Sequence, residues 1–339
     1  MKIVQFVSFG TPHEVTDCLE VPDVGSPLDD EVIVEVEAFP INPVDLLTIK
    51  GHYAVKPLLP ATLGAEGVGR VTATGTSVSN LAVGDRVILL GRDNWAQQRK
   101  VKSHHVLKVP KDVDVLQLAM LKVNPATALL MLRDYIQLDP GDWVIQDAAN
   151  SGVGHYLIQL AKTDCIRTVN VVRRETLIGP LKAAGADVVV VDGDDLPKHV
   201  RSETDDAQIK LGLDAIAGDI CIRLADCLAD GATLVNYGLL SGKACMLRPD
   251  QTVFHGITLT GFWLAKVLPQ MSHEAITALY ADLAQRIASG NLHANVEATY
   301  PIEDISAALE HAARTGRSGK ILVTPNGPLP SSPPSRGRG

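Results

Sequence analysis

The chain has 339 residues, of which 46% are hydrophobic and 21% are charged, and its formal net charge is −8 at pH 7. This composition is typical of a globular protein, and the length favours two domains over a single hydrophobic core. The negative charge argues against a general nucleic-acid binder, which needs clustered basic residues, and no apolar run approaches the length of a membrane span.

The N-terminal third is rich in short β-like runs that are separated by glycine and proline. They include a run that starts at Lys2 and the segments 31–37, 67–75 and 85–90. Such spacing predicts a small, barrel-like β domain over residues 1–118. The start of the chain has neither the apolar segment of a signal peptide nor the arginine-rich pattern of a transit peptide. We therefore expect a cytoplasmic protein.

The cysteines and a histidine pair give no sign of a metal site. The five cysteines are scattered and contain no C-x-x-C: Cys18, Cys165, Cys221, Cys227 and Cys245. This pattern indicates reduced thiols, and neither a disulfide framework nor a zinc lobe. Because neighbours on a strand point to opposite faces, we expect the adjacent His104 and His105 to have a surface role.

From about residue 119, strand-like runs alternate with helical segments. The strand-like runs are 142–149, 188–192, 209–216 and 232–238, and one helical segment extends from Cys221 to Leu228. Such alternation is typical of a parallel sheet that right-handed crossovers wind on both faces. Residues 119–262 are therefore predicted to form a doubly wound α/β domain.

A glycine turn follows the first of these strands. Gly152 and Gly154 do not complete G-x-G-x-x-G, and a bare glycine pair favours an ordinary strand-to-helix turn. Here an apolar strand precedes the pair and apolar residues at helical spacing follow it, with Asn150 and Ser151 as candidate caps. This context favours a dinucleotide site, in which amides at a helix N-terminus hold a pyrophosphate.

The next strand ends in Arg173 and Arg174. An acidic residue at this point would accept a hydrogen bond from the 2′-hydroxyl of NAD, whereas guanidinium donors suit a 2′-phosphate. A single arginine after a strand is usually a solvated charge. Its position relative to the glycine turn makes at least one of the two a phosphate ligand, and the inferred cofactor is NADPH.

The C-terminal segments are expected to return to the first domain over residues 263–325. They comprise an amphipathic helix over 272–289 capped by Ser272, a helix near 303–313 and a strand over 320–324. The first helix should face inward with Ile276, Leu279, Leu283 and Ile287. Residues 326–339 are rich in proline, glycine and serine and are predicted to be a disordered tail.

Several motifs occur in an order and at a spacing that together identify a family. They are 41–45 with 51–53, 59–61 with 64–69, 123–125 with 127–128, 150–154, 170–173 and 261–264. Over about residues 1–325, the chain resembles the medium-chain dehydrogenase/reductase superfamily and, within it, the zinc-free, mitochondrial-type 2-enoyl thioester (enoyl-ACP/enoyl-CoA) reductases. The resemblance implies an α/β fold, with a Rossmann-type doubly wound parallel sheet domain and a β-rich, GroES-like N-terminal barrel domain.

The presence of zinc ligands can be checked at the motifs with which related alcohol dehydrogenases bind the metal. These enzymes use a cysteine early in the first domain and the histidine of a Gly-His-Glu motif, because zinc prefers sulfur and nitrogen donors. The corresponding stretches are Asn42-Pro-Val-Asp45 and Gly64-Ala65-Glu66. The ligands are absent, so we expect no metal and no reaction through a zinc alkoxide.

The resemblance implies NADPH-dependent reduction of the C2=C3 double bond of trans-2-enoyl thioesters, a reaction of fatty acid metabolism. Hydride adds to the β-carbon, and the resulting enolate needs hydrogen-bond donors and then a proton. The Gly-x-Tyr motif gives this catalytic role to Tyr53, whose phenol is protonated at neutral pH. A lone tyrosine in a loop is more often a packing residue. Here the surrounding motif favours a catalytic role.

The resemblance also implies a set of cofactor-binding residues. They are Asn124, Asn150, Ser151, Gly152, Val153, Arg173, Arg174, Tyr237, Gly238, Leu239, Leu240, Phe262, Trp263, Leu264 and Lys320. Trp263 is open to a packing role, because large aromatic residues are more often core. The assignment of Lys320 depends on the alignment and would change if the alignment were offset by one residue. His52 and Ala54, which flank Tyr53, depart from the family pattern, and this departure bears on substrate size.

Two alternatives remain at this point: an NADPH-dependent quinone reductase of the same superfamily, and a non-catalytic NADPH-binding protein. The expected partner is an enoyl thioester, as a small molecule or on a carrier, with no nucleic acid and no membrane. A homodimer is expected from the resemblance alone, through the sheet edge near residues 230–264.

Overall fold

A computed structural model describes residues 1–329 of the chain. Contacts divide it into a first unit, Met1–Val123 with the chain from Thr277 onward, and a second unit, Asn124–Ile276. The sequence places these divisions at 118/119 and 262/263, and the functional domains so defined stay a prediction. Over the described residues, no helix has both the length and the apolar character that a membrane crossing requires.

Most of the predicted disordered tail, residues 330–339, lies outside the described residues. The first residue of that tail, Asn326, does lie within them. Its side-chain amide donates hydrogen bonds to the carbonyl oxygens of Val36 and Gln97, each at 2.9 Å. The ordered chain therefore extends past the predicted end of the last domain at residue 325.

The N-terminal part of the first unit is built from short, mostly antiparallel strands. Its elements are β1 (Lys2–Phe6), α1 (Pro12–Val15), β2 (Thr16–Glu20), β3 (Glu31–Pro40), α2 (Pro43–Ile49), β4 (Ala61–Thr62), β5 (Val68–Thr74), β6 (Arg86–Leu89), β7 (Gln98–Lys102), β8 (Val106–Lys108) and α3 (Val115–Ala119). In β3, the alternating residues Val32, Val34 and Val36 are fully buried, because successive side chains of a strand point to opposite faces. The predicted β-rich domain is confirmed.

The second unit is a doubly wound parallel sheet. Its elements are α4 (Asn124–Asp134), β9 (Trp143–Gln146), α5 (Gly152–Thr163), β10 (Arg167–Val172), α6 (Ile178–Ala183), β11 (Val188–Val191), α7 (Leu196–Thr204), β12 (Ile209–Asp214), α8 (Asp219–Ala225), β13 (Thr233–Asn236), α9 (Pro249–Val253), β14 (Thr258–Gly261) and α10 (Leu264–Val267). The strand order is β11-β10-β9-β12-β13-β14, and each neighbouring pair is parallel. All strands therefore end at the same edge of the sheet, and the predicted Rossmann-type fold is confirmed.

The last elements complete the first unit, although the first of them begins within the second unit. They are α11 (His273–Ala288), β15 (Val296–Tyr300), α12 (Ile305–Ala313) and β16 (Lys320–Val323). The predicted cap of α11 is present, since the Ser272 hydroxyl accepts a hydrogen bond from the Ala275 amide at 3.2 Å. Strand β16 pairs with β3, with Leu322 opposite Pro40. The resulting sheet has the order β15-β16-β3-β5-β6-β8, and β7 pairs with β3.

The core of the first unit combines both parts of the chain. Phe39 and Trp95 are fully buried and stack with ring centroids 5.8 Å apart. Ile302 and Leu309, from the C-terminal part, belong to the same hydrophobic cluster. Since burial of apolar area is the main stabilising contribution to folding, both ends of the chain contribute to the stability of the first unit.

The expected geometry of the histidine pair is wrong. Ser103–His105 form a 3₁₀ turn between β7 and β8, where we expected a strand. The two rings lie with their centroids 4.3 Å apart, because the tight turn does not alternate side chains as a strand does. Both histidines are exposed.

Candidate active site

The turn between β9 and α5 is the centre of the predicted dinucleotide site. Ser151 is the N-cap of α5, and its hydroxyl accepts a hydrogen bond from the Gly154 amide at 3.1 Å. A side chain at Gly154 would place its Cβ 2.4 Å from the Ala149 carbonyl oxygen, so the helix starts here only with glycine. Because amides in the first turn of a helix have no partner within it, Gly152 and Val153 present N–H groups that suit a pyrophosphate.

Arg173 and Arg174 come directly after β10, the strand that pairs with β9. Both side chains are exposed, as is Asn150 in the turn after β9. Ligands of open α/β sheets bind at the carboxyl ends of the strands, and both arginines stand at that edge. Two guanidinium groups at this point fit the oxygen atoms of a phosphate.

Two further groups of predicted residues follow β13 and β14 at the same edge. They are Tyr237, Gly238, Leu239 and Leu240 after β13, and Phe262, Trp263 and Leu264 after β14. Trp263 is 38% exposed, whereas Phe262 is 7% exposed. Phe262 thus packs in the interior, and the Trp263 indole keeps a surface that a ligand can contact.

The remaining two predicted cofactor residues lie elsewhere. Asn124 is the first residue of α4 in the second unit, and it is buried. Lys320 is the first residue of β16 in the first unit, and its ammonium group donates a hydrogen bond to the side-chain oxygen of Asn42. The structure therefore gives Lys320 an internal partner that the sequence did not predict.

A pair of buried carboxyl groups at the strand ends of the second unit was not predicted. Burial, assisted by the charge of Asp214, raises the pKa of Asp147 well above its ordinary value. Burial acts to raise the pKa of Asp214 too, but hydrogen bonds from Asp147, Cys221 and backbone amides lower it overall. Protonation is therefore favoured at Asp147 over Asp214. The Ala215 amide holds Asp147 in place with a 2.7 Å hydrogen bond to Oδ1.

Tyr53, the predicted catalytic residue, lies in the loop after α2 in the first unit. The side chain is half-buried. The Arg92 guanidinium lies over the ring, 5.6 Å from its centroid, a distance at which a cation is attracted to the ring face. Arg92 was not predicted, because its contact with Tyr53 joins two loops that are distant in the sequence.

The N-terminus of α2 is the centre of a buried polar cluster that consists of Asn42, Asp45, Glu66, Lys122 and Lys320. The Asn42 side-chain amide donates to Glu66 at 2.7 Å, and the Val123 amide donates to the other Glu66 oxygen at 2.8 Å. The two oxygens of Asp45 accept from the amides of Asn42 and Ala65, at 2.9 and 3.1 Å. The Lys122 ammonium donates to the carbonyls of Ala65 and Gly91, at 2.6 and 2.8 Å.

Burial moves the pKa values of the carboxyl and ammonium groups in this polar cluster towards neutral pH. It raises the pKa of Asp45 to about 7 and also raises the pKa of Glu66. It lowers the pKa values of Lys122 and Lys320 to about 8. The charged forms are disfavoured because the protein interior solvates charge poorly.

Two members of the polar cluster, Asp45 and Glu66, lie in the stretches that the sequence comparison matched to the zinc ligands of alcohol dehydrogenases. Both carboxylates, Asp45 and Glu66, already have each oxygen engaged by a protein donor, and the Lys320 ammonium supplies a positive charge. Zinc prefers sulfur and nitrogen ligands, of which this set offers none in a suitable state. These residues do not fit a zinc ion.

The chain matches two families in succession. Residues 28–111 match the alcohol dehydrogenase GroES-like domain, and residues 152–282 match the family described as zinc-binding dehydrogenase. Among curated proteins, the mitochondrial enoyl-[acyl-carrier-protein] reductase of Homo sapiens is 34% identical over 322 residues, which are 93% of this chain and 86% of that protein.

Solved structures share the whole fold. A protein from Bacillus thuringiensis assigned as an NADPH:quinone reductase is 28% identical, with a TM-score of 0.88 over 95% of this chain and 98% of that chain. The mitochondrial 2-enoyl thioester reductase heterodimer from Candida tropicalis is 24% identical, with a TM-score of 0.85 over 95% and 99% of the chains. At this identity the second likeness shows the fold alone. From its relatives and its fold, the chain belongs to the medium-chain dehydrogenase/reductase superfamily of oxidoreductases, in the family of the mitochondrial-type enoyl-acyl-carrier-protein reductases.

Proposed function

We propose that this oxidoreductase uses NADPH to reduce the C2=C3 double bond of trans-2-enoyl thioesters, without zinc. The observation that carries the proposal is the half-buried Tyr53 side chain in its Gly-x-Tyr loop, in the same unit as a polar cluster whose carboxylates are already engaged by protein donors. The name of the human relative, an enoyl-[acyl-carrier-protein] reductase, supports the same substrate class.

The edge of the second unit's sheet supports NADPH as the cofactor, since it offers helix amides for a pyrophosphate and two exposed arginines for a 2′-phosphate. The name of the Bacillus thuringiensis relative also includes NADPH. When bound, NADPH supplies the hydride that adds to the β-carbon of the enoyl group.

Tyr53 acts on the acyl group as a hydrogen-bond and proton donor. Its O–H stabilises the negative charge that develops on the thioester oxygen and assists protonation at the α-carbon. The Arg92 guanidinium, 5.6 Å from the ring centroid, is attracted to the ring face. Arg92 thus helps to hold the Tyr53 ring in place.

The test is turnover of trans-2-hexenoyl-CoA with NADPH by the full-length protein and by Tyr53→Phe. Loss of the phenol should lower kcat by about 100- to 10,000-fold, the usual contribution of a general acid, with little change in NADPH affinity. Tyr300→Phe is the matched control, because it removes another half-buried hydroxyl of the first unit. A Tyr53→Phe variant with unchanged kcat contradicts the assigned role.

The second candidate is an NADPH:quinone reductase, which the relative from Bacillus thuringiensis favours. Under this alternative, a benzoquinone is reduced briskly, the enoyl thioester is not reduced, and Tyr53→Phe has little effect. A third outcome, NADPH binding without turnover of either substrate, indicates a non-catalytic NADPH-binding protein.

We also propose a homodimer that forms through β14, the edge strand of the second unit's sheet. An edge strand presents unpaired backbone groups that another chain can pair with, and the Candida tropicalis relative is named a heterodimer. Light scattering of the purified protein tests the assembly. A cytoplasmic location stays a prediction, and the name of the human relative places that protein in mitochondria.

A further inference from the structure

Three side chains with metal-binding atoms meet inside the second unit. Asp214 is the last residue of β12, Cys221 lies in α8, and Cys245 lies in the segment 237–248 between β13 and α9. The two Sγ atoms are 3.0 Å apart, and they lie 2.9 Å (Cys221) and 3.5 Å (Cys245) from Oδ2 of Asp214. Three elements that are separate in the sequence thus direct two sulfur atoms and one oxygen to a single point.

The carboxylate is held so that one oxygen faces the two thiols. Oδ1 of Asp214 accepts hydrogen bonds from the amides of Ile216 and Ala217, at 2.9 and 2.8 Å. Oδ2 accepts from the side-chain amide of Asn236 at 2.8 Å and remains in contact with both sulfur atoms. Hydrogen bonds that orient a ligand from behind in this way are a regular feature of metal sites.

The two cysteines are also held by their own elements. Cys221 is fully buried on α8. The segment with Cys245 is attached to the start of that helix, because the Gly218 amide donates to the Ala244 carbonyl at 3.1 Å. Cys245 itself is half-buried. Asp214 and Cys221 thus form the closed side of the group, and Cys245 forms its accessible side.

This donor set matches a thiophilic divalent cation. Two thiolates select a soft metal, and a carboxylate oxygen is an accepted third ligand of zinc. Bound to one ion, the sulfur atoms would move somewhat farther apart, and a water molecule on the accessible side would supply a fourth ligand. The cation would offset two of the three negative charges, and the donors around Asp214 would stabilise the third. A disulfide would use both sulfur atoms but leave the oriented carboxylate without a role.

We propose that Asp214, Cys221 and Cys245 bind a divalent zinc-class cation that ties the segment 237–248 to α8 and the end of β12. The site is structural. It stabilises the segment that begins with Tyr237 and Gly238, two of the predicted cofactor residues. It is separate from the polar cluster of the first unit, and it does not depend on the proposed enoyl reduction.

The test measures the zinc content of the full-length protein under reducing conditions. The protein is first stripped of metal with a chelator, then reloaded with Zn²⁺, and the excess metal is removed before the measurement. We expect one tightly held zinc per chain by elemental analysis, and a thiolate-to-metal absorption band when Co²⁺ replaces it. Cys221→Ala and Cys245→Ala should each lose the zinc and the band. Cys227→Ala should keep both, because Cys227 is another buried cysteine of the second unit whose thiol contacts the Arg223 carbonyl instead.

Three results overturn the proposal. The first is a wild-type protein that keeps no zinc and gives no cobalt band. The second is equal zinc content in wild type, Cys221→Ala and Cys245→Ala. The third is a Cys221–Cys245 disulfide in peptide maps of a protein that does not take up zinc after reduction. Circular dichroism checks each variant's fold, and if Cys221→Ala is unfolded, the half-buried Cys245 carries the test.

Discussion

Arg173 and Arg174 are the proposed source of the second unit's preference for a phosphorylated dinucleotide. They follow β10 as exposed side chains at the strand ends. Guanidinium groups bind phosphate through charge-assisted hydrogen bonds, which are stronger than those between neutral groups. NADH has a hydroxyl where NADPH has its 2′-phosphate. The two arginines should therefore strengthen the binding of NADPH and have little effect on the binding of NADH.

Replacement of both arginines by alanine should therefore raise KM for NADPH and leave KM for NADH nearly unchanged. Loss of one charged hydrogen bond costs about 1.5–3 kcal/mol, which corresponds to roughly a 10- to 150-fold rise. Steady-state kinetics with both cofactors measure the ratio. Arg167→Ala is the control, because Arg167 begins the same strand and its guanidinium lies 4.4 Å from the Trp143 ring centroid. An unchanged ratio in the double variant contradicts the assignment.

Single residues were predictable where their role depends on the neighbouring chain. The Ser151 cap needs only the helix that follows it, and the structure confirms it. Contacts between distant segments were not predictable. The sequence gives no sign that Cys221 meets Cys245, since their spacing fits no known metal motif. The bond from Lys320 to Asn42 likewise joins residues 278 positions apart.

Among the elements, β15 and α12 are joined through the carboxylate of Glu297. The Tyr300 hydroxyl shares a hydrogen bond with Nδ1 of His311, and Nε2 of His311 shares one with Glu297, both at 2.9 Å. The other oxygen of Glu297 accepts from Ser318 and Gly319, which lead into β16. One side chain thus connects a strand, a helix and the start of the next strand.

These hydrogen bonds, that from His311 above all, lower the pKa of Glu297 from its ordinary 4.5 to about 2. A lowered pKa means that the folded state favours the carboxylate, so this contribution to stability is complete above pH 4.5 and is lost as the pH falls towards 2. Glu297→Gln should lose most stability near pH 6, and its difference from wild type should shrink towards pH 3. Urea unfolding midpoints over this range measure it.

Glu310→Gln is the control for this pH series. Glu310 is an exposed residue of α12 that pairs with Arg314, and exposed pairs contribute little to stability. A constant difference between Glu297→Gln and wild type from pH 6 to pH 3 would show that the carboxylate has no such role.

The types of the elements could be predicted from the sequence because periodicity and turn residues are local. The alternation of apolar and polar residues predicted β3, and apolar residues at helical spacing predicted α5 and α11. The turn Ser103–His105 was missed because its flanking residues, in β7 and β8, read as one continuous strand. Local pattern does not show where a short turn interrupts β-prone residues.

At the scale of the whole molecule, the pairing of distant strands is what the sequence pattern could not supply. The sheet order β11-β10-β9-β12-β13-β14 places β9 and β12 side by side although two strands separate them in the chain. Likewise, β16 and β3 are neighbours in one sheet although they lie near opposite ends of the chain. Family resemblance predicted this architecture, because related chains share contacts that periodicity does not encode.

The proposed function depends on one step, the transfer of hydride from NADPH to the β-carbon of an enoyl thioester. The direct measurement uses NADPH deuterated at both C4 positions, trans-2-hexenoyl-CoA and NMR of the product. We expect hexanoyl-CoA with one deuterium at C3 and a solvent-derived hydrogen at C2. A product without deuterium at C3, or no product while a benzoquinone consumes the same NADPH, would contradict it.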